Sequence, residues 1–194
     1  LFAYYFGIAQ FLQENYDLTD VSFAGVSAGS LAAVALCSEL MTKNCLEDVI
    51  EPCLADIRKY NKGFFSNSLF GSDWLIPLKK SLGEKIRKSK KFKTINRKCH
   101  ILVTKIKGLN TKGDYINKWK SIPDLMECII SSCWIPLIFG KMTKTFRNKE
   151  CIDGGASFFL PDRNFEPDDK HKWIYISLNT FREFETDGLG FIIH

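Results

Sequence analysis

The segment Gly25-Val26-Ser27-Ala28-Gly29 limits what this chain can fold into more than any other stretch. Before it, the short apolar run Val21–Ala24 reads as a strand. After it, Ser30–Met41 reads as a helix, with Leu31, Val34, Ala35 and Ser38 along one side. A strand that feeds a helix through Gly-x-Ser-x-Gly has room only for a sharp turn, and the glycines stand where a side chain would clash. Such a turn, a strand–Ser–helix nucleophile elbow, lifts the Ser27 hydroxyl clear of the sheet edge. The helix start adds free N–H groups and a positive dipole end, so the amides of Ala28 and Gly29 are candidates to hold a negative oxygen. An ordinary glycine-rich strand-to-helix turn is the alternative reading.

The rest of the chain alternates between helical and strand patterns. Leu1–Tyr16 carries Ala3, Phe6, Ile8, Phe11 and Leu12 at helical spacing, and Leu46–Tyr60 reads as a further amphipathic helix. Asn61–Ser72 is turn-rich and aromatic, and Asp73 caps a helix expected through Leu82. His100–Ile106 is a second strand, Gly108–Gly113 a turn and Asp114–Trp119 a third strand. Ser121-Ile122-Pro123-Asp124 opens a helix to about Ser132, with Ser at the cap and Pro in the first turn. Strands are also expected within Lys144–Ile152 and Trp173–Leu178. This alternation argues for one α/β domain over residues 1–194 with a largely parallel sheet.

A serine hydroxyl needs a base before it is a useful nucleophile. The three histidines, His100, His171 and His194, are scattered and read as exposed or strand-end residues. A carboxylate is the other choice. In Cys151-Ile152-Asp153-Gly154-Gly155-Ala156 an aspartate ends an apolar segment, and the two glycines let the backbone turn sharply and bring that carboxylate to another group. Taken alone, Asp153-Gly154 also reads as an ordinary hairpin turn.

Composition closes off other classes. Hydrophobic residues make up 45% and charged residues 25%, the balance of a folded domain. No apolar run reaches the ~18 residues of a membrane-spanning helix. Seven cysteines show no Cys-x-x-Cys pattern, and Cys37, Cys45, Cys53, Cys128 and Cys133 sit in apolar helical patterns, so buried thiols in a reducing, intracellular setting are expected. Net charge is +5, too mild for a nucleic-acid partner. Lys79–Lys98 is the exception, with ten Lys or Arg and one acid, Glu84. It reads either as a solvated face or as a peripheral contact with an anionic membrane or lipid-droplet surface. The chain starts with Leu1 and reads as a piece of something longer, trimmed before that residue.

Gly25-Val26-Ser27-Ala28-Gly29-Ser30, followed far downstream by Asp153-Gly154-Gly155, resembles the patatin-like phospholipases. Ile101-Leu102-Val103-Thr104 is similar to that family's central strand. Ser131-Ser132-Cys133-Trp134-Ile135-Pro136 resembles the segment preceding its aspartate strand, and Ala156-Ser157-Phe158-Phe159-Leu160-Pro161 the stretch after Asp-Gly-Gly. The resemblance implies a three-layer α/β/α fold and a Ser27–Asp153 dyad without histidine. It also implies cleavage of carboxylic esters of phospholipids, lysophospholipids or acylglycerols through an acyl-enzyme, with no metal or cofactor. Two other readings stay open: a Ser-His-Asp esterase with His171 as base, and a catalytically silent lipid-binding module. The dyad reading expects Asp153 to be largely enclosed near Ile152, Ala156 and Phe158. Aromatic and apolar residues at Phe64-Phe65, Leu69-Phe70 and Trp74-Leu75-Ile76 are candidates for an acyl channel.

Overall fold

The computed structural model describes residues 2–40, 75–108, 110–136, 141–159, 166–169, 172–176 and 191–193. The helix expected over Leu46–Tyr60, the aromatic run from Phe64 to Trp74, Cys45, Cys53, Leu160, Pro161, His171 and His194 lie outside the described residues.

Helix α1 spans Phe2–Asn15 and leads through a short turn to β1, Phe23–Val26. One residue, Ser27, then joins β1 to α2, Ala28–Ser38. Every residue of α2 is buried, as its apolar, alanine-rich composition on all sides requires. Further along lie α3, Leu75–Ser89, and α4, Phe92–Lys98. The helix expected to end at Leu82 therefore continues seven residues further, and the basic segment after it is helical too. Strand β2, Cys99–Lys107, follows directly and is buried over its first six residues.

Next come β3, Asn110–Ile116, and α5, Ile122–Ser132, whose cap Ser121 accepts the Asp124 N–H as its sequence indicates. Strands β4, Lys144–Phe146, and β5, Lys149–Ile152, precede a 3-10 helix over Gly154–Phe159; β6, Ile174–Ile176, and β7, Phe191–Ile193, complete the described elements.

The seven strands form one sheet, ordered β4-β5-β2-β1-β7-β6, with β3 also paired to β2. The sheet is mixed. Pairing is parallel across β2, β1, β7 and β6. It is antiparallel where β2 meets β3 and β5 and where β5 meets β4. Tight hairpins join β2 to β3 and β4 to β5, whereas β2 and β5 pair across the long connection that includes α5. The turn expected over Gly108–Gly113 is far shorter: Lys107 pairs with Asn110, and Gly108 takes a φ of 61°. The single strand expected within Lys144–Ile152 folds back on itself at Arg147 and Asn148, with φ of 47° and 60°, the twist that suits a two-residue hairpin loop.

Side chains alternate across the sheet. Phe23, Cys99, Ile101 and Val103 join the main core with α1 through α5, while Ala24, Val26 and Leu102 pack with Trp173 and Phe158 on the opposite face.

Candidate active site

Strand register brings the two motifs together. β3 occupies one edge of β2 from Ile101 to Lys107. β1 and β5 therefore share the other edge, β1 along Cys99–Leu102 and β5 along Thr104–Ile106. They run towards each other, since β1 is parallel and β5 antiparallel to β2. β1 ends with Val26 beside Leu102 and β5 ends with Ile152 beside Thr104, so the next residue of each, Ser27 and Asp153, meet across the one-residue gap at Val103. The Ser27 hydroxyl donates to Asp153 Oδ2 at 2.6 Å.

From Val21 to Ser38, Ser27 alone is not buried. Its backbone is strained, at φ 51° and ψ −127°, a region that favours glycine. Each of its polar groups is pinned. The N–H donates to Ser132 Oγ at 3.0 Å, and the carbonyl accepts from Ser30 Oγ at 2.6 Å and Ser30 N at 2.9 Å. A serine before a helix commonly caps it with its hydroxyl. Ser27 makes no such cap, its hydroxyl being committed to Asp153. Gly25 is required here: a Cβ on it would stand 2.4 Å from Ser30 Cα and 2.6 Å from Gly29 O. Ala28 and Gly29 form the first turn of α2, where backbone N–H groups have no partner within the helix.

Asp153 is held as firmly. Its N–H donates to Trp134 O at 2.8 Å, its carbonyl accepts from Thr104 Oγ1 at 2.8 Å, and its Oδ1 accepts from Gly155 N at 2.7 Å. Gly154 lies tight on β2: a Cβ there would be 2.2 Å from Leu102 O. The Asp153 carboxyl is half-buried, and burial pushes its pKa above the ordinary carboxylate range, while donation from Ser27 and Gly155 N–H partly offsets this. Ile152, Ala156 and Phe158, expected to enclose it, are themselves only partly buried.

Ser132 and Thr104 belong to the site through bonds that span the chain. Ser132 is fully buried, and besides accepting from Ser27 it donates to Leu102 O at 2.7 Å. One hydroxyl thus fixes Ser27 to the strand against which Gly154 is pressed. Gly113 has a similar place: a Cβ on it would meet Ser157 Cβ at 2.7 Å, so the 3-10 helix after Asp153 settles onto β3 only over a glycine.

His100 is not a strand-end residue in the open. It is buried level with Ala24, its ring edge-on to Trp173 at 5.7 Å between centroids. The described cysteines are free and buried, and burial pushes the Cys128 thiol up to about 12, which makes it a poor nucleophile. Among the described residues no group of three or more His, Cys, Asp or Glu gathers to hold a metal ion, and no helix is long and apolar enough to cross a membrane.

A family model described as Patatin-like phospholipase matches residues 1–162. The chain is similar to the "Omega-hydroxyceramide transacylase" of Mus musculus, 28% identical over 142 residues that cover 72% of this chain and 22% of the relative. Its Homo sapiens counterpart is 26% identical over 142 residues, covering 72% and 25%. "1-acylglycerol-3-phosphate O-acyltransferase Pnpla3" of Mus musculus is 26% identical over 144 residues, covering 72% and 32%. The chain therefore spans no more than about a third of the length of these curated relatives. No solved structure matches it.

Proposed function

The chain belongs to the patatin-like phospholipase family, and from that membership we propose that it transfers acyl groups out of lipid esters, with Ser27 as nucleophile and Asp153 as general base. The observation that carries the reading is the 2.6 Å bond from the Ser27 hydroxyl to the Asp153 carboxylate. In a Ser-His-Asp triad the imidazole stands between serine and acid. A direct serine–carboxylate bond leaves no place for one.

Asp153 takes the Ser27 proton as Oγ attacks the ester carbonyl carbon. The carbonyl oxygen becomes an oxyanion, for which the first-turn N–H groups of Ala28 and Gly29 are candidate donors. Collapse of the adduct breaks the ester C–O bond, and the leaving alcohol takes the proton from Asp153. A water, or the hydroxyl of a second lipid, then gives its proton to Asp153 and attacks the acyl-enzyme carbonyl; collapse of this second adduct breaks the bond from Ser27 Oγ to the acyl carbon, and Oγ takes the proton back from Asp153. Water makes the enzyme a hydrolase of glycerolipids; a lipid hydroxyl makes it an acyltransferase. The names of these relatives describe acyl transfer, and the same dyad serves both outcomes. The raised Asp153 pKa favours its role, because a stronger base accepts the proton more readily.

The test supplies acyl-labelled phospholipid, lysophospholipid and triacylglycerol, with and without a monoacylglycerol acceptor, and follows free fatty acid and transferred acyl by mass. Turnover that disappears in Ser27→Ala and Asp153→Asn supports the proposal. Turnover that survives Ser27→Ala refutes it, and lipid binding by a wild type that turns over no ester points to a silent module.

A further inference from the structure

Thr104 ends the buried run Cys99–Thr104 of β2, and it is fully buried where valine would have the same shape. A hydroxyl taken out of water needs a hydrogen-bond partner. Thr104 Oγ1 has two: it lies 2.8 Å from Asp153 O and 3.1 Å from Gly154 O, so its single proton is shared between consecutive carbonyls. Register puts it there, because Thr104 pairs with Ile152, the residue before Asp153. On its other side Thr104 pairs with Gly113, the glycine that leaves room for Ser157. Ser157 is buried too, and its Oγ donates to Gly154 O at 2.8 Å. One hydroxyl from β2 and one from the 3-10 helix thus converge on the same carbonyl.

That carbonyl decides the direction of an N–H. In the planar trans peptide joining Gly154 to Gly155, the C=O and the N–H point opposite ways. With Gly154 O drawn towards Thr104 and Ser157, Gly155 N faces away from them and donates to Asp153 Oδ1 at 2.7 Å. Oδ2 is left to accept from the Ser27 hydroxyl at 2.6 Å. Both residues flanking this peptide are glycine, the pair least able to resist rotation of the plane between them. The 3-10 turn is a weak hold by itself, because its own hydrogen bonds are poorly aligned.

We propose that Thr104 is a positioning residue for the general base: its hydroxyl, together with that of Ser157, locks the Gly154–Gly155 peptide so that the Gly155 N–H grips Asp153 Oδ1 and Oδ2 faces Ser27. This rests on the reading of Asp153 as the base and adds what holds its carboxylate. A peptide free to turn presents its N–H to Oδ1 for only part of the time, and a carboxylate that loses a donor becomes a weaker acid. Thr104 therefore sets the pH at which Asp153 ionises as well as the direction in which it points. The groups on the surrounding elements leave that control to hydrogen bonds. Cys133, just after α5, lies near enough to feel the Asp153 charge, but burial keeps its thiol protonated. Lys105 and Asp114, on β2 and β3, pair with each other. Glu150 on β5 is held by Thr143 and Thr145, and Phe23–Ser38 carries no charged side chain.

The experiment reads the Asp153 carboxyl directly. The full chain carries carboxyl-labelled aspartate, and carbon NMR follows the titration, with the Asp153 resonance assigned by its absence from Asp153→Asn. Thr104→Val keeps the side chain's shape and leaves Asp153 O and Gly154 O with donors in Ala156 N and Ser157 Oγ, so it is expected to fold. Its Asp153 midpoint is expected at least about half a pH unit above wild type. Thr104→Ser restores the hydroxyl and is expected to titrate with wild type. The acid limb of kcat/KM for a short-chain ester should move with the midpoint, and KM should change little. If Thr104→Val does not fold, Ser157→Ala removes the other side-chain donor to Gly154 O and is expected to raise the midpoint in the same direction. A midpoint unchanged in the folded variant, or raised equally in Thr104→Ser, overturns the proposal and leaves Thr104 a merely structural part of β2. Ester turnover that survives Asp153→Asn refutes Asp153 as the base instead, and the carboxyl titration still decides what Thr104 does.

Discussion

Ser131 and Ser132 are adjacent on α5 and both fully buried, yet their substitution by alanine should have very different effects. Ser131 Oγ donates at 2.8 Å to the carbonyl of Glu127, one turn back in its own helix. Such a back-bond adds little to helix stability. Ser132 Oγ joins Ser27 N–H at 3.0 Å to Leu102 O at 2.7 Å. Ser132→Ala leaves the Ser27 N–H without an acceptor, and the space vacated by one oxygen is too small to admit a water. An orphaned buried donor costs ~1–3 kcal/mol. Taking about 2 kcal/mol, Tm falls by roughly 4–8 °C in a chain of this size. The same bond holds Ser27 at φ 51°, a conformation that itself costs ~1–3 kcal/mol. Without it the backbone relaxes and the hydroxyl shifts from Asp153, and a displacement of about 1 Å costs ~10² in rate. The expected result is a 10- to 100-fold lower kcat for Ser132→Ala, to order of magnitude, with KM little changed. Ser131→Ala should keep wild-type kcat and lose under about 1 kcal/mol. Thermal melts and steady-state kinetics on the pair check this. Equal losses in both variants, or full turnover in Ser132→Ala, would refute the argument that Ser132 positions Ser27.

Gly154→Ala should fail to fold or lose most of its stability in a thermal melt, since its Cβ would lie 2.2 Å from a backbone oxygen that cannot move aside without disturbing β2. Ser27→Gly should abolish ester turnover yet raise Tm by a few degrees, because glycine accepts φ 51° without strain. The pH profile of kcat/KM should show an acid limb above the ordinary carboxylate value of 3.8, because Asp153 acts only when ionised and burial raises its pKa. The same shift affects stability. Asp153 favours the folded state while protonated, and that contribution is lost as pH rises from 3.8 through its raised pKa. Asp153→Asn should therefore melt higher than wild type at neutral pH, with the difference shrinking in acid.

The two motifs were legible because each needs particular residue types in a particular local shape. Gly25 stands where a Cβ would strike α2, and Gly154 where one would strike β2. That Ser27 and Asp153 face each other was not legible from spacing, because it depends on β1 and β5 sharing one edge of a strand separated from both in sequence. Ser132 was visible only as part of a resembling segment; its bond to Ser27 spans 105 residues and leaves no local pattern. The hairpin at Arg147-Asn148 was missed because its positive φ values fall on residues other than glycine. Asn110–Gly113, polar and turn-like in composition, is strand because β2 offers it a full edge. His100 reads as a polar strand-end residue until Trp173, far along the chain, covers it.

The central claim is that Ser27 is activated by Asp153 without a histidine. The most direct measurement is labelling by a fluorophosphonate serine probe, with the modified peptide located by mass spectrometry, in wild type, Asp153→Asn and His171→Ala. The account predicts label on Ser27 in wild type and His171→Ala and its loss in Asp153→Asn. Label that disappears in His171→Ala, or that persists undiminished in Asp153→Asn, would contradict it.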